Sequence, residues 1–164
     1  MGFEIDRKAR VGKHALTAVF RGIDDSLSLR NLYPRVANRR EFLDGSRLQV
    51  SPQDMYCYVD DEDDGIVVIG RNHLQKSEER VLYLDILHEL VHVKQFREGR
   101  ELFDRRYHYV DRPTELEAYA LGVQEARRLG MTDAEIFDYL TVPWVSDADM
   151  ERLAARLGVR PAGP

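Results

Sequence analysis

The sequence predicts an α+β fold in which a small antiparallel or mixed sheet packs on one long helix, with further helices around it. Three observations predict it. Two short runs rich in β-branched and aromatic residues, 55–59 and 65–69, flank an acidic turn and read as a hairpin. An apolar-rich segment between Ser77 and Gly99 carries helix start and stop signals, and at least three later segments open with helix-start residues. A chain of 164 residues that is 43% apolar can fill one core but not two. Residues 1–160 therefore read as a single domain and 161–164, a Pro-Gly tail, as frayed.

Taken in order, residues 7–21 show helical spacing through Val11, Ala15, Leu16, Val19 and Phe20. Residues 27–43 read as a helix interrupted by Pro34. The turn at 60–64 resembles half an EF-hand, with spaced Asp60, Glu62 and Asp64 before Gly65. Its flanks are strand-like and Arg71 stands where the closing Glu belongs, so a hairpin is expected and calcium is not. Ser77, followed by Glu78 and Glu79, reads as the N-cap of the next helix, and Gly99 as its stop. A further helix runs from Pro113 to about Leu129, ended by Gly130. Thr132 opens another through Leu140, and residues 147–157 form the last.

The segment His88-Glu89-Leu90-Val91-His92 lies in the middle of the Ser77–Gly99 helix. Residues four apart on an α-helix lie about 40° apart on one face, so both imidazoles can reach one metal ion. Glu89 then sits beside the metal, the residue type needed to take a proton from a zinc-bound water. Apolar neighbours on nearly every side mark a helix packed on two faces. Two core histidines bonded to backbone or carboxylate would give the same local pattern, so a third ligand decides.

The metzincin arrangement fails, because Gln95 and Glu98 occupy the positions of its Gly and third His. Two glutamates on the following helix compete. Glu115 shares a stripe with Ala118, Gly122 and Ala126, small residues that permit close helix packing; Glu117 lines up with Leu121, Gln124 and Arg128, a mostly solvated stripe. Thr114-x-x-Glu117 also matches a capping box. Glu115 is the expected ligand.

With these residues the chain resembles the gluzincins, zinc metallopeptidases whose ligands are the two histidines of H-E-x-x-H and a glutamate on a later helix. In layout it is most similar to the ImmA/IrrE-type peptidases, in which E-x-x-A, here Glu115-Leu116-Glu117-Ala118, carries that glutamate. The resemblance spans residues 65–130 and departs at Tyr119, where Asn is common; no helix-turn-helix partner domain is recognisable. It implies a minimal zincin-like fold, Zn2+ held by His88, His92 and Glu115, and hydrolysis of a peptide bond through a zinc-activated water with Glu89 as general base. A donor for the oxyanion is sought in the loop carrying Tyr107, His108 and Tyr109, with His108 preferred. Zincins pair an extended substrate with an edge strand above the metal. That assigns residues 65–70 to the role, with Val68, Gly70 and Arg71 as substrate-binding positions and a peptide or protein segment as substrate.

The remaining titratable residues have ordinary explanations. Asp85 and Asp111 are candidates to orient the ligand histidines, while His14 and His73 read as structural or solvated. Cys57 beside H-E-x-x-H raises the ligand set of peptide deformylases, but the Gly-rich motifs of that enzyme are missing, and a buried free thiol is the plainer reading. A catalytically idle zincin that binds zinc or a partner, and a helical module without metal, are the rival functions. A net charge of −5 offers no field for nucleic acid. The sequence shows neither an apolar run long enough for a membrane nor a leader at Met1, and a single cysteine excludes an internal disulfide. Cytoplasmic localisation is the expectation.

Overall fold

The computed structural model describes residues 3–160, so the tail expected to fray lies outside the described residues. The architecture is α+β. Strands β1 (Glu4–Ile5) and β3 (Phe20–Arg21) form a two-stranded antiparallel ribbon. The main sheet contains β2 (Gly12–Ala15), β4 (Arg47–Ser51), β5 (Cys57–Asp60) and β6 (Ile66–Gly70) in the order β2-β4-β6-β5. It is mixed, with β4 and β6 parallel and the other pairs antiparallel.

The region of residues 7–21 departs from expectation. It holds β2, the four-residue helix α1 (Leu16–Val19) and β3 rather than one helix. The helical spacing is used by a single turn that buries Leu16 and Val19, with Phe20 and Ile23 following into the core. Upstream, the chain enters β2 at Gly12 with φ +132 and pairs with β4, and the ladder bonds to that strand outweigh a weak helical pattern. Helices α2 (Leu27–Leu32) and α3 (Val36–Asp44) break at Pro34 as expected.

The hairpin between β5 and β6 turns through Asp64 and Gly65, both at positive φ. Gly65 is required twice. A Cβ there would sit 2.5 Å from Phe96 Cδ1, in a conformation that side chains already resist. All five residues of β6 are buried. The strand passes directly into α4 (Arg71–Lys76).

Helix α5 (Glu79–Arg97) is the 19-residue centre of the fold, packed on β5 and β6 on one side and on α6 (Pro113–Arg128) on the other. That two-sided packing explains why Leu84, Ile86, Leu87, Leu90, Val91 and Val93 are all buried. Its N-cap is Glu78, which accepts from the Val81 N–H at 3.1 Å, and not Ser77. Ser77 ends α4, and its hydroxyl is bonded to His73 instead. Gly99, at φ +75, follows the helix end as expected.

Pro113 is the first residue of α6, so Thr114 lies inside the first turn and cannot cap it. The predicted Thr114–Glu117 capping box is therefore absent. Thr114 Oγ1 donates to the Leu102 carbonyl. A capping box does form at Thr132 and Glu135, opening α7 (Asp133–Leu140), and Ser146 caps α8 (Asp147–Arg156). Among the described residues no helix is long and apolar enough to cross a membrane.

Candidate metal centre

One turn of α5 places His88 and His92 on the face toward α6, and the first turn of α6 sends Glu115 back to meet them. The Nε2 atoms of the two histidines are 3.0 Å apart. Glu115 Oε2 lies 3.2 Å from His88 Nε2 and 3.4 Å from His92 Nε2. Zinc bonds of about 2.0–2.1 Å put tetrahedral ligand atoms roughly 3.3–3.4 Å apart, so the three donors already stand near the corners a divalent ion requires. All three side chains are buried. Small residues let the helices approach: Ala118 and Ala126 are fully buried on the Glu115 stripe.

The electrostatics of the metal-free group follow from this crowding. Burial pushes the Glu115 carboxyl up, but hydrogen bonds and charge from His88 and His92 outweigh it and hold Glu115 well below the usual carboxylate range. Burial opposes charge on His92, yet its hydrogen bond to Glu115, with the charges of Glu115 and Glu89, lifts it to about 9. Both shifts describe a carboxylate and an imidazolium sharing protons in the place a cation would take.

His92 is oriented from behind. Its Nδ1 meets Gln95 Oε1 at 2.7 Å, which makes Nδ1 the protonated nitrogen and leaves Nε2 as the candidate ligand atom. The Gln95 amide donates to Thr114 O at 3.0 Å and to Glu117 Oε2 at 2.9 Å, and Arg100 pairs with Glu117. Glu117 is thus neither a cap nor a solvated stripe residue. It anchors the amide that holds His92. Sequence reasoning missed Gln95, although its position three residues after His92 puts it on the same helical face. His88 Nδ1 has no hydrogen-bond partner among the described residues, and its ring packs on Tyr119 at 4.4 Å between centroids.

Glu89 is buried beside the three converging side chains. Burial raises its carboxyl above the ordinary range, against the lowering influence of His88 and His92. Its Oε1 accepts from the Cys57 thiol at 3.8 Å, across from β5. Glu89 and the three candidate ligand side chains line a cavity of about 140 Å³ walled by β5, Leu102, Phe103, Tyr109, Arg112 and Trp144.

Several expected site residues lie elsewhere. His108 points outward, 60% exposed, with Nδ1 3.7 Å from Asp149 Oδ2, because the short 3-10 turn at Tyr109–Asp111 sends the next residue inward in its place. Tyr109 lines the cavity, and its hydroxyl is 2.8 Å from that of Tyr119. Strand β6 is not an edge. Val68 faces Tyr58 on one side and Gln49 on the other, and the Gly70 N–H donates to the Tyr56 carbonyl at 3.0 Å. The hairpin folds β5 onto the side of β6 nearest the metal group, and Arg71 starts α4 with its side chain exposed. Val68, Gly70 and Arg71 therefore present no open strand edge to a substrate; β5 does, since no described strand pairs with its other side.

The proposed orienting carboxylates are likewise engaged elsewhere. Asp85 bonds His73 Nε2 at 2.7 Å, and Asp111 bonds Arg152 and Arg156. His14 is an ordinary surface histidine bonded to the Arg10 carbonyl.

No protein-family profile, curated protein or solved structure matches this chain. Two imidazoles and a carboxylate converge on one point, with a buried carboxylate adjacent and a cavity in front of them.

Proposed function

We propose that the chain is a zinc-dependent metallopeptidase of the gluzincin type, hydrolysing a peptide bond in an extended peptide or protein segment. The convergence of His88, His92 and Glu115 at a cavity wall, with Glu89 the next residue after one ligand, carries the reading. Zn2+ held by those three residues would supply a Lewis acid that acidifies water and polarises a substrate carbonyl. Glu89 takes the water proton and returns it to the leaving amine. Its burial favours this, because a carboxyl raised above its ordinary range is a stronger base toward the water proton than an exposed one. The Tyr109 hydroxyl, in the cavity wall, replaces His108 as donor to the developing oxyanion.

The substrate runs along β5 rather than β6. The bond from Gly70 N–H to Tyr56 O sets the alternation of the ladder, so Tyr58 and Asp60 turn their main-chain groups toward β6. Cys57 and Val59 turn theirs toward the open edge, where an extended peptide can add as a strand. A half-buried free thiol suits a reducing compartment, and we place the protein in the cytoplasm.

The deciding experiment separates base from ligand. Glu89→Gln retains the zinc at His88, His92 and Glu115 and loses hydrolysis, whereas Glu115→Ala sheds the zinc of that group. A second reading, a zinc-binding regulator without turnover, is favoured by the tightness of the 140 Å³ cavity. Zinc-loaded parent protein that cleaves nothing in a mixture of unstructured peptides would select it.

A further inference from the structure

Behind the first group, on the other side of Glu89, a second set of donors converges. We infer that Cys57, His73 and Asp85 form a separate binding site for a thiophilic divalent cation such as Zn2+. One ligand atom from each lies within 4.8 Å of the others, and the three come from three elements, β5, α4 and α5. Zinc bonds of about 2.3 Å to sulfur and 2.0–2.1 Å to nitrogen or oxygen require donor separations of roughly 3.3–3.6 Å, so closure needs side-chain shifts on the order of 1 Å.

The imidazole is held as a ligand histidine is held. Ser77 Oγ meets His73 Nδ1 at 2.8 Å, which leaves Nε2 turned toward Asp85 Oδ2 at 2.7 Å. The ring is braced on its other side by Tyr56, 5.1 Å between centroids. Asp85 has no Arg or Lys partner among the described residues; its bonded partner is His73. A thiolate and a carboxylate with a neutral imidazole balance a divalent charge in full, and the sulfur favours zinc over hard cations such as Mg2+.

Access is from solvent. Cys57, His73 and Ser77 line an open cleft of about 770 Å³ that also contains Tyr56 and Trp144, so water can complete the coordination. The two sites meet at one atom, because the Cys57 thiol that would bind this ion is also the hydrogen-bond partner of Glu89. This site is independent of the peptidase reading: it stands or falls on its own donors.

The test is a Co2+ titration of the metal-stripped full chain, read by stoichiometry and by the near-ultraviolet thiolate-to-cobalt charge-transfer band. The parent should take up about two ions per chain, with the band appearing alongside one of them. Cys57→Ser, a one-atom change, should take up one ion and show no band. His73→Gln should lose the same ion, and Ser77→Ala should weaken it by about tenfold while keeping the band. Glu115→Ala should keep the band and lose the other ion. A parent that takes up one ion without a band overturns the site. So does a band that survives His73→Gln and disappears in Glu115→Ala, since Cys57 would then belong to the His88 and His92 group. Far-ultraviolet circular dichroism establishes that each variant is folded.

Discussion

Gln95 accepts the Nδ1–H of His92 at 2.7 Å, and its own amide is fastened to Glu117 and the Thr114 carbonyl. One helical turn thus contains both a candidate metal ligand and the group that selects its tautomer. The same amide ties α5 to the first turn of α6, which carries Glu115. Gln95→Leu should leave all three ligands in place yet lower zinc affinity by about 10–100-fold, the usual cost of losing such support. Competition with a chromophoric chelator measures it. Unchanged affinity would show that helix packing alone orients His92.

Glu117→Ala should act through the same chain. Because the residue holds Gln95 and does not cap α6, its loss should weaken zinc binding by about tenfold rather than only fray a helix end. A variant with lowered thermal stability and unaltered zinc affinity would refute the connection.

Turnover should depend on Tyr109 and not on His108. Tyr109→Phe removes a hydroxyl from the cavity wall and should lower kcat by roughly 100-fold with zinc retained, whereas the outward-facing His108→Ala should leave kcat within about twofold. The reverse ranking in steady-state kinetics would return the oxyanion role to the histidine.

Strand addition on β5 makes a paired prediction. Val59→Pro removes a main-chain N–H directed at the open edge and should reduce kcat/KM by about tenfold, the worth of roughly one hydrogen bond. Val68→Pro deletes a bond within the ladder and should instead lower Tm, since β6 is paired on both sides. Equal kcat/KM for folded, zinc-loaded Val59→Pro and parent would exclude the β5 edge as the docking strand.

The pH dependence of the metal-free protein follows from the shifts at His92 and Glu115. His92 is raised from about 6.5 when unfolded to about 9 when folded. Its contribution to stability is complete below the unfolded value and is lost as pH rises through about 9. Glu115 is shifted the other way, so its contribution is present above the ordinary carboxylate pKa and lost as pH falls toward its depressed value. Chelator-treated protein should be most stable between roughly pH 5 and 6.5 and should lose Tm above that. Zinc must displace the His92 proton, so its affinity should increase with pH over the same interval, with proton release seen by calorimetry in buffers of different ionisation enthalpy. A flat Tm from pH 6 to 9 would contradict the pairing.

The sequence by itself determined the parts whose causes are local. H-E-x-x-H at positions 88–92 needs only helical periodicity to put two imidazoles on one face, and the small stripe of Ala118, Gly122 and Ala126 was enough to prefer Glu115 over Glu117. The hairpin at 60–65, the break at Pro34 and the helix stops at Gly99 and Gly130 likewise follow from backbone preferences of single residues. Tertiary structure decided what depends on partners distant in the chain. Residues 12–15 became a strand because β4 was there to pair with, and β6 became an inner strand because β5 folded over its free side. His108 turned outward while Tyr109 faced the cavity, a choice made by one short turn in a loop with no periodic pattern. Gln95, Glu117, His73 and Asp85 acquired their roles from hydrogen bonds across 3 to 22 positions. Periodicity says which face a residue occupies; only the packed neighbour says what that face meets.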